Sequence, residues 1–284
     1  RYKARLVAKG FHQHEGVDYQ DTFSPVAKPV TIRILLTLAV QFDWFLNQLD
    51  ISNAFLHGDL KEDVFMSQPP GFIDSHLPNH VCQLHKSLYG LKQAPRAWFE
   101  KLFQALHTFG FTQSSSDASL FVLQSSVPVF VLVYVDDILV TGPNTNLCQQ
   151  FIHKLSQVFP VKDLGPLHYF LGLEVHCTSE GLFMHQGKYL LDLLHKTNMA
   201  GAKPCVTPLG TSKLDHSGPL LSNPSEYRSI VGGLQYLTWT RPDLSFPVNQ
   251  VCQFIHAPRE QHMQAAKRIL RFLKDTLTQG IWFK

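Results

Sequence analysis

Residues 128–142 constrain this chain more than any other stretch. Val129-Phe130-Val131-Leu132-Val133 is apolar at every position, so both faces of the strand it forms must be covered. That is the mark of a central strand rather than an edge. The run stops at Asp136-Asp137 and resumes as Ile138-Leu139-Val140-Thr141-Gly142, which predicts a hairpin with two adjacent acids at its tip. Two neighbouring carboxylates repel, and a tight two-residue turn prefers Asn-Gly or Asp-Gly. The pair reads either as a solvated polar turn or as oxygen ligands for a hard divalent cation.

Asp50 adds a third acid in a similar setting. It lies near the end of the short strand Leu46 to Ile51 and is followed by the loop Ser52-Asn53-Ala54-Phe55. If the two strands are neighbours, Asp50, Asp136 and Asp137 converge on one sheet edge. Three carboxylates there could hold two Mg²⁺ about 4 Å apart, the arrangement that activates an attacking hydroxyl and stabilises a departing phosphate oxygen. The plainer alternative is that Asp50 caps a turn through its own backbone.

Elsewhere the pattern is mixed. Tyr2 to Lys9 alternates, predicting a half-exposed strand with Lys3, Arg5 and Lys9 on its basic face. Helical spacing predicts helices over 31–45, from Ala94-Pro95 through Leu106, and over 147–159. Short strands are expected at 64–66 and 119–123, and a strand pair at 169–175 and 182–184 around Glu180-Gly181. Beyond residue 186 come helices at 188–196, 225–238, 243–255 and 260–275, the first set apart by a Pro/Gly/Ser-rich connection at 203–224. The fold class is therefore α+β with a helical C-terminal part.

Composition closes off several classes. With 44% hydrophobic and 17% charged residues, the 284-residue chain can bury a core and is neither disordered nor coiled-coil. Five scattered cysteines without a C-x-x-C exclude a disulfide framework and favour a reducing compartment. No apolar run is long enough to cross a bilayer, and no signal peptide is evident. The chain reads as a fragment of something longer. A net charge of +3 neither requires nor excludes a polyanionic partner.

Taken together, the motifs resemble the reverse transcriptases of copia-type LTR retrotransposons. Tyr134-Val135-Asp136-Asp137 looks like the Y-x-D-D signature of reverse transcriptases. Leu49-Asp50-Ile51-Ser52-Asn53-Ala54-Phe55-Leu56-His57-Gly58 resembles the first catalytic motif of the copia type, and Leu88-Tyr89-Gly90-Leu91-Lys92-Gln93-Ala94-Pro95-Arg96-Ala97-Trp98 its next one. Tyr2 to Gly10 is similar to the family's fingers strand, and Phe170-Leu171-Gly172-Leu173-Glu174-Val175 to the hairpin that grips the primer end. Ser52 stands where many relatives carry Lys.

The resemblance implies a right-hand polymerase fold with an antiparallel palm sheet. Fingers would span about 1–25 and 58–93, palm about 26–57 and 94–185, and 186–284 would be thumb and the start of a tether. It implies Asp50, Asp136 and Asp137 as catalytic acids. These and the Ile51 carbonyl would be ligands of two Mg²⁺, with Mn²⁺ as a substitute. Lys3, Arg5, Asn53, Ala54, Phe55, Tyr89, Gly90 and Gln93 would contact the nucleotide, Phe55 excluding a 2′-hydroxyl. Lys92, Arg96, Tyr134, Leu171 and Gly172 would contact nucleic acid. Partners would be an RNA or DNA template with primer, deoxynucleoside triphosphates, and the RNase H and integrase segments of the Pol polyprotein. No membrane is implied. The setting would be a cytoplasmic virus-like particle whose product passes to the nucleus.

Competing readings remain at this level. One is a truncated, inactive nucleic-acid-binding remnant, which mutated acids would have favoured; another is a two-metal nuclease, for which no further acid set or general base is found. No acidic set of RNase H type follows residue 186. His76, His80, Cys82 and His85 crowd together, but Pro78 keeps His76 and His80 off a common helix face and the spacing suits no closed zinc site. The basic face of 260–275 (Lys267, Arg271, Lys274) fits either a nucleic-acid backbone or ordinary solvent.

Overall fold

The computed structural model describes residues 4–284. The chain packs as two compact units, one ending at Leu167 and one running from His168 to Lys284. Sequence reading drew its main division at 185/186.

The first unit is built on a six-stranded antiparallel sheet. Its strands are β1 (Phe45–Ile51), β4 (Phe111–Gln113), β5 (Leu120–Leu123), β6 (Val129–Tyr134), β7 (Asp137–Gly142) and β8 (Val161–Pro166), in the order β4-β5-β6-β7-β1-β8. A separate hairpin pairs β2 (Asp59–Ser67) with β3 (Val81–Lys86). Three helices accompany them: α1 (Pro29–Gln41), α2 (Ala94–Thr108) and α3 (Thr145–Val158).

The apolar run on β6 explains the sheet's centre. Val129, Val131 and Val133 share a core with Trp98, Leu102 and Leu106 of α2 and with Phe151, Ile152 and Leu155 of α3. On the opposite face Leu132 and its β7 partner Leu139 are also fully buried, and α1 lies against β7. Both α1 and α2 begin with Pro in the first turn, where no backbone N–H is needed.

Asp117 ties α1 to the loop before β5. Its carboxylate accepts hydrogen bonds from Lys28 N (3.0 Å), Thr31 Oγ1 (2.5 Å), Ser119 N (3.0 Å) and Ser119 Oγ (2.6 Å), at only 3% exposure. Burial raises the carboxyl's pKa, but the hydrogen bonds from Ser119, Thr31 and Lys28 outweigh it and hold it below the ordinary value. A depressed folded pKa stabilises the protein above the unfolded carboxyl's pKa, and the benefit is lost as pH falls through the folded value. Asp117→Ala is expected to cost about 2–3 kcal/mol. It should also flatten the acid limb of a melting-temperature profile measured against pH.

Several expectations need correcting. Ala4 to Lys9 joins no sheet; the segment is held by Ala8 N donating to Tyr89 O at 2.7 Å. Strands β3, β4 and β8 were not anticipated: β3 has no buried residue, β4 is only three residues long, and β8, with Gly165 and Pro166, has a loop-like composition. The stretch 169–175 is not one strand but β9 (Tyr169–Phe170) and β10 (Leu173–Thr178), paired antiparallel.

In the second unit these strands join β11 (Gly181–His185) and β12 (Gly280–Phe283) in the order β12-β11-β10-β9. The stretch 280–283 is a strand paired antiparallel with β11. Helices α4 (Gly187–Lys196), α5 (Pro224–Leu237), α6 (Ser245–Cys252) and α7 (Glu260–Lys274) enclose a core centred on Leu190, Tyr227, Leu234, Val251 and Ile269. The helix expected over 243–255 is broken into a short 3-10 turn, Pro242–Leu244, and α6.

Candidate active site

Strand order brings the acids together. β1 lies beside β7 with Asp50 opposite Asp137, and Ile51 N–H donates to Asp136 O at 2.9 Å. The β6–β7 turn differs from expectation in one detail. Tyr134 pairs with Asp137, so the two turn residues are Val135 and Asp136, and Asp137 is the first residue of β7. Only Val135 of the two has a positive φ, +56°. That is the pattern of a type II′ turn, whose first central position favours glycine. For a β-branched residue it is a strained backbone. The Val135 carbonyl accepts a 2.7 Å hydrogen bond from the Trp98 indole N–H.

The acids sense one another. Burial, reinforced by the charges of Asp136 and Asp50, raises the Asp137 carboxyl to a pKa of about 6, against a partial offset from a Gln48 hydrogen bond. Among the described residues no three His, Cys, Asp or Glu side chains form a preassembled metal cage. The donor set nonetheless suits a hard cation. Burial, and after it the charges of Asp136 and Asp50, disfavours the ionised form of Asp137, and a divalent ion beside these oxygens would offset both.

The loop after Asp50 carries the next group. Asn53 adopts a left-handed φ of +55° and sends the chain into a 3-10 turn, Ala54–His57, with Ala54 fully buried. Phe55 is half-buried and its ring meets Tyr89 edge-on at 5.0 Å between centroids. The Phe55 carbonyl accepts a hydrogen bond from the buried Ser87 hydroxyl. Arg5 lies over the Tyr89 ring at 5.1 Å. Burial raises the Tyr89 phenol's pKa; Arg5 lowers it, and Asp136 and Asp50 raise it further. Tyr89 thus stands within electrostatic reach of the acids, with Phe55 and Arg5 against its ring.

The comparisons with known proteins fit this geometry. The family model for reverse transcriptase (RNA-dependent DNA polymerase) matches residues 1–211. The chain belongs to the reverse transcriptase family. It is 56% and 54% identical to the retrovirus-related Pol polyproteins from transposons RE1 and RE2 of Arabidopsis thaliana, each over the whole of this chain and 20% of the relative. It is 41% identical to the Pol polyprotein from transposon TNT 1-94 of Nicotiana tabacum, over the whole chain and 22% of that protein. This reverse transcriptase segment therefore spans about one fifth of the length of the copia-type Pol polyproteins it matches.

Other predicted site residues of this reverse transcriptase chain lie in different company. Gly90, at φ +92°, makes room for its own chain: an added Cβ would stand 2.1 Å from Ala8 O. Gln93 is buried and committed, its Nε2 donating to Asp18 O (3.1 Å) and its Oε1 accepting from Gln13 Nε2 (3.0 Å). Arg96 is paired with Glu100 at 2.9 Å and Asp21 at 3.4 Å, and Lys92 is exposed. Tyr134 is half-buried opposite Asp137. In the second unit Leu171 and Gly172, both at positive φ, form the two-residue turn between β9 and β10, and the Leu171 carbonyl accepts from the Tyr236 hydroxyl. Lys3 lies outside the described residues.

Gln48 and Ser87 were not singled out from the sequence, and Trp98 was quoted only as the end of the Leu88–Trp98 motif, with no role of its own. Gln48 carried a signal, being a polar side chain at a buried position of a short strand. Ser87 and Trp98 carried none specific to a role, since each reads as ordinary core.

Proposed function

We propose that this chain is the polymerising part of a retrotransposon Pol polyprotein, adding deoxynucleotides to a primer 3′-hydroxyl as a template directs, with release of pyrophosphate. The observation that carries this reading is the convergence of Asp50 and the Asp136-Asp137 turn on adjacent strands. Aromatic and cationic groups stand beside them, in a chain of this family.

In this reading Asp50, Asp136 and Asp137, with the Ile51 carbonyl, would hold two Mg²⁺, or Mn²⁺ in their place. Bound cations there supply Lewis acidity to the primer hydroxyl and charge neutralisation to the leaving phosphate. Arg5, with Lys3 close in sequence, presents positive charge to the incoming triphosphate. Phe55, braced by Tyr89 and by the Ser87 hydroxyl, sets a flat wall under the sugar. The subdivision into fingers, palm and thumb, the contacts of Leu171 and Gly172 with the primer end, the cytoplasmic particle and the neighbouring RNase H and integrase segments belong to the same proposal. Among the described residues no helix is long and apolar enough to cross a membrane.

The test is single-nucleotide extension of a primer on an RNA template with Mg²⁺. The chain should add only the deoxynucleotide complementary to the next template base. Salt-sensitive binding of primer–template without any extension would instead favour the inactive binding remnant.

A further inference from the structure

Both acid-bearing segments of the first unit dock on one point of α2. Trp98, 1% exposed and among the largest side chains buried in the protein, donates its single N–H to Val135 O at 2.7 Å. On its other side the loop that follows Asp50 meets the α2 backbone without clearance. A Cβ on Gly58 would stand 2.7 Å from both Ala97 C and Trp98 N. The His57 ring lies 6.0 Å from the indole and Phe159 closes the cluster at 5.2 Å, while Ser52 N donates to Pro160 O at 3.1 Å.

The Val135 bond has a specific consequence. Val135 sits at φ +56°, which a β-branched residue does not hold without support. The indole N–H is the side-chain donor that fixes this carbonyl, and the next residue is Asp136. Relaxing Val135 toward ordinary φ would re-aim Asp136, the residue that follows it.

We infer that Trp98 is a positioning residue for catalysis: its indole N–H holds the strained Val135 peptide, and its ring and backbone seat the loop after Asp50, so that one residue braces both acid-bearing segments. This rests on the polymerase reading above.

The decisive variant removes the donor and keeps the shape. Trp98→benzothienylalanine replaces N–H by sulfur in a ring of nearly the same size, and Trp98→Phe is its coarser companion. In the full chain, single-turnover addition by the benzothienylalanine variant should slow by about tenfold or more. The Mg²⁺ concentration for half-maximal rate should rise severalfold. Primer–template affinity should stay within twofold. Hydrogen exchange at Asp136 and Asp137 should quicken while α2 stays protected. An unchanged rate and Mg²⁺ requirement in the benzothienylalanine variant would overturn the inference and leave the polymerase reading standing. A uniform rise in exchange across α2 with proportional loss of binding would also overturn it, because Trp98 would then be core alone. A wild-type chain that binds primer–template yet adds no nucleotide would remove the polymerase reading itself, and the inference with it.

Discussion

Asp50→Asn should abolish primer extension while leaving the protein at least as stable as the wild type. Asn keeps the shape of the side chain and removes one negative charge from a site where burial, reinforced by Asp136 and Asp50, raises the Asp137 carboxyl to a pKa of about 6. Relief of like-charge repulsion cannot destabilise the fold, so the melting temperature without divalent cation should stay level or rise. Loss of a ligand for ions that stabilise transition-state charge by several kcal/mol should slow addition by about 10³-fold. Opposite signs in the two measurements identify a functional acid, because a structural one would lose stability along with activity. Thermal melts and single-turnover extension on the same preparation make the comparison.

Phe55→Ala should relax the choice between deoxy- and ribonucleotides. The Phe55 ring meets Tyr89 edge-on, and the Ser87 hydroxyl anchors the Phe55 backbone through its carbonyl, so the ring starts from a fixed point of the chain. Removing it opens space that a 2′-hydroxyl can occupy, and discrimination against ribonucleotides should fall on the order of 100-fold. Deoxynucleotide addition should slow less than that. The measurement is the ratio of kcat/KM for matched deoxy- and ribonucleoside triphosphates. Ser87→Ala should produce a smaller shift in the same direction.

The sheet's centre was legible because an apolar run on both faces admits few placements. That the Asp50 strand neighbours the acid hairpin entered only as a condition for the three acids to converge; the structure supplies the pairing, β1 beside β7. The exact turn was not legible: nothing in Tyr134-Val135-Asp136-Asp137 says that valine takes the left-handed position, since that depends on the Trp98 indole reaching it from α2. Strand β8 was missed because Lys162-Asp163-Leu164-Gly165-Pro166 lacks alternation and is ordered by pairing with β1. The N-terminal segment alternates like a strand but is held by a backbone hydrogen bond to Tyr89 and close packing on Gly90. Gly90, Gln93 and Arg96 were expected at the nucleotide or nucleic acid. In the structure their immediate partners are Ala8, residues 13–18, and the acids Glu100 and Asp21. Glu100 is four residues from Arg96, but the other partners are distant in sequence and leave no mark in local spacing.

The acid cluster as a divalent-cation site is tested most directly by Mn²⁺ binding, followed by electron paramagnetic resonance with primer–template present and no nucleotide turnover. The wild-type chain should take up Mn²⁺, and Asp136→Asn should weaken that uptake by tenfold or more. Equal uptake by the two proteins would contradict the placement of the metal at Asp50, Asp136 and Asp137.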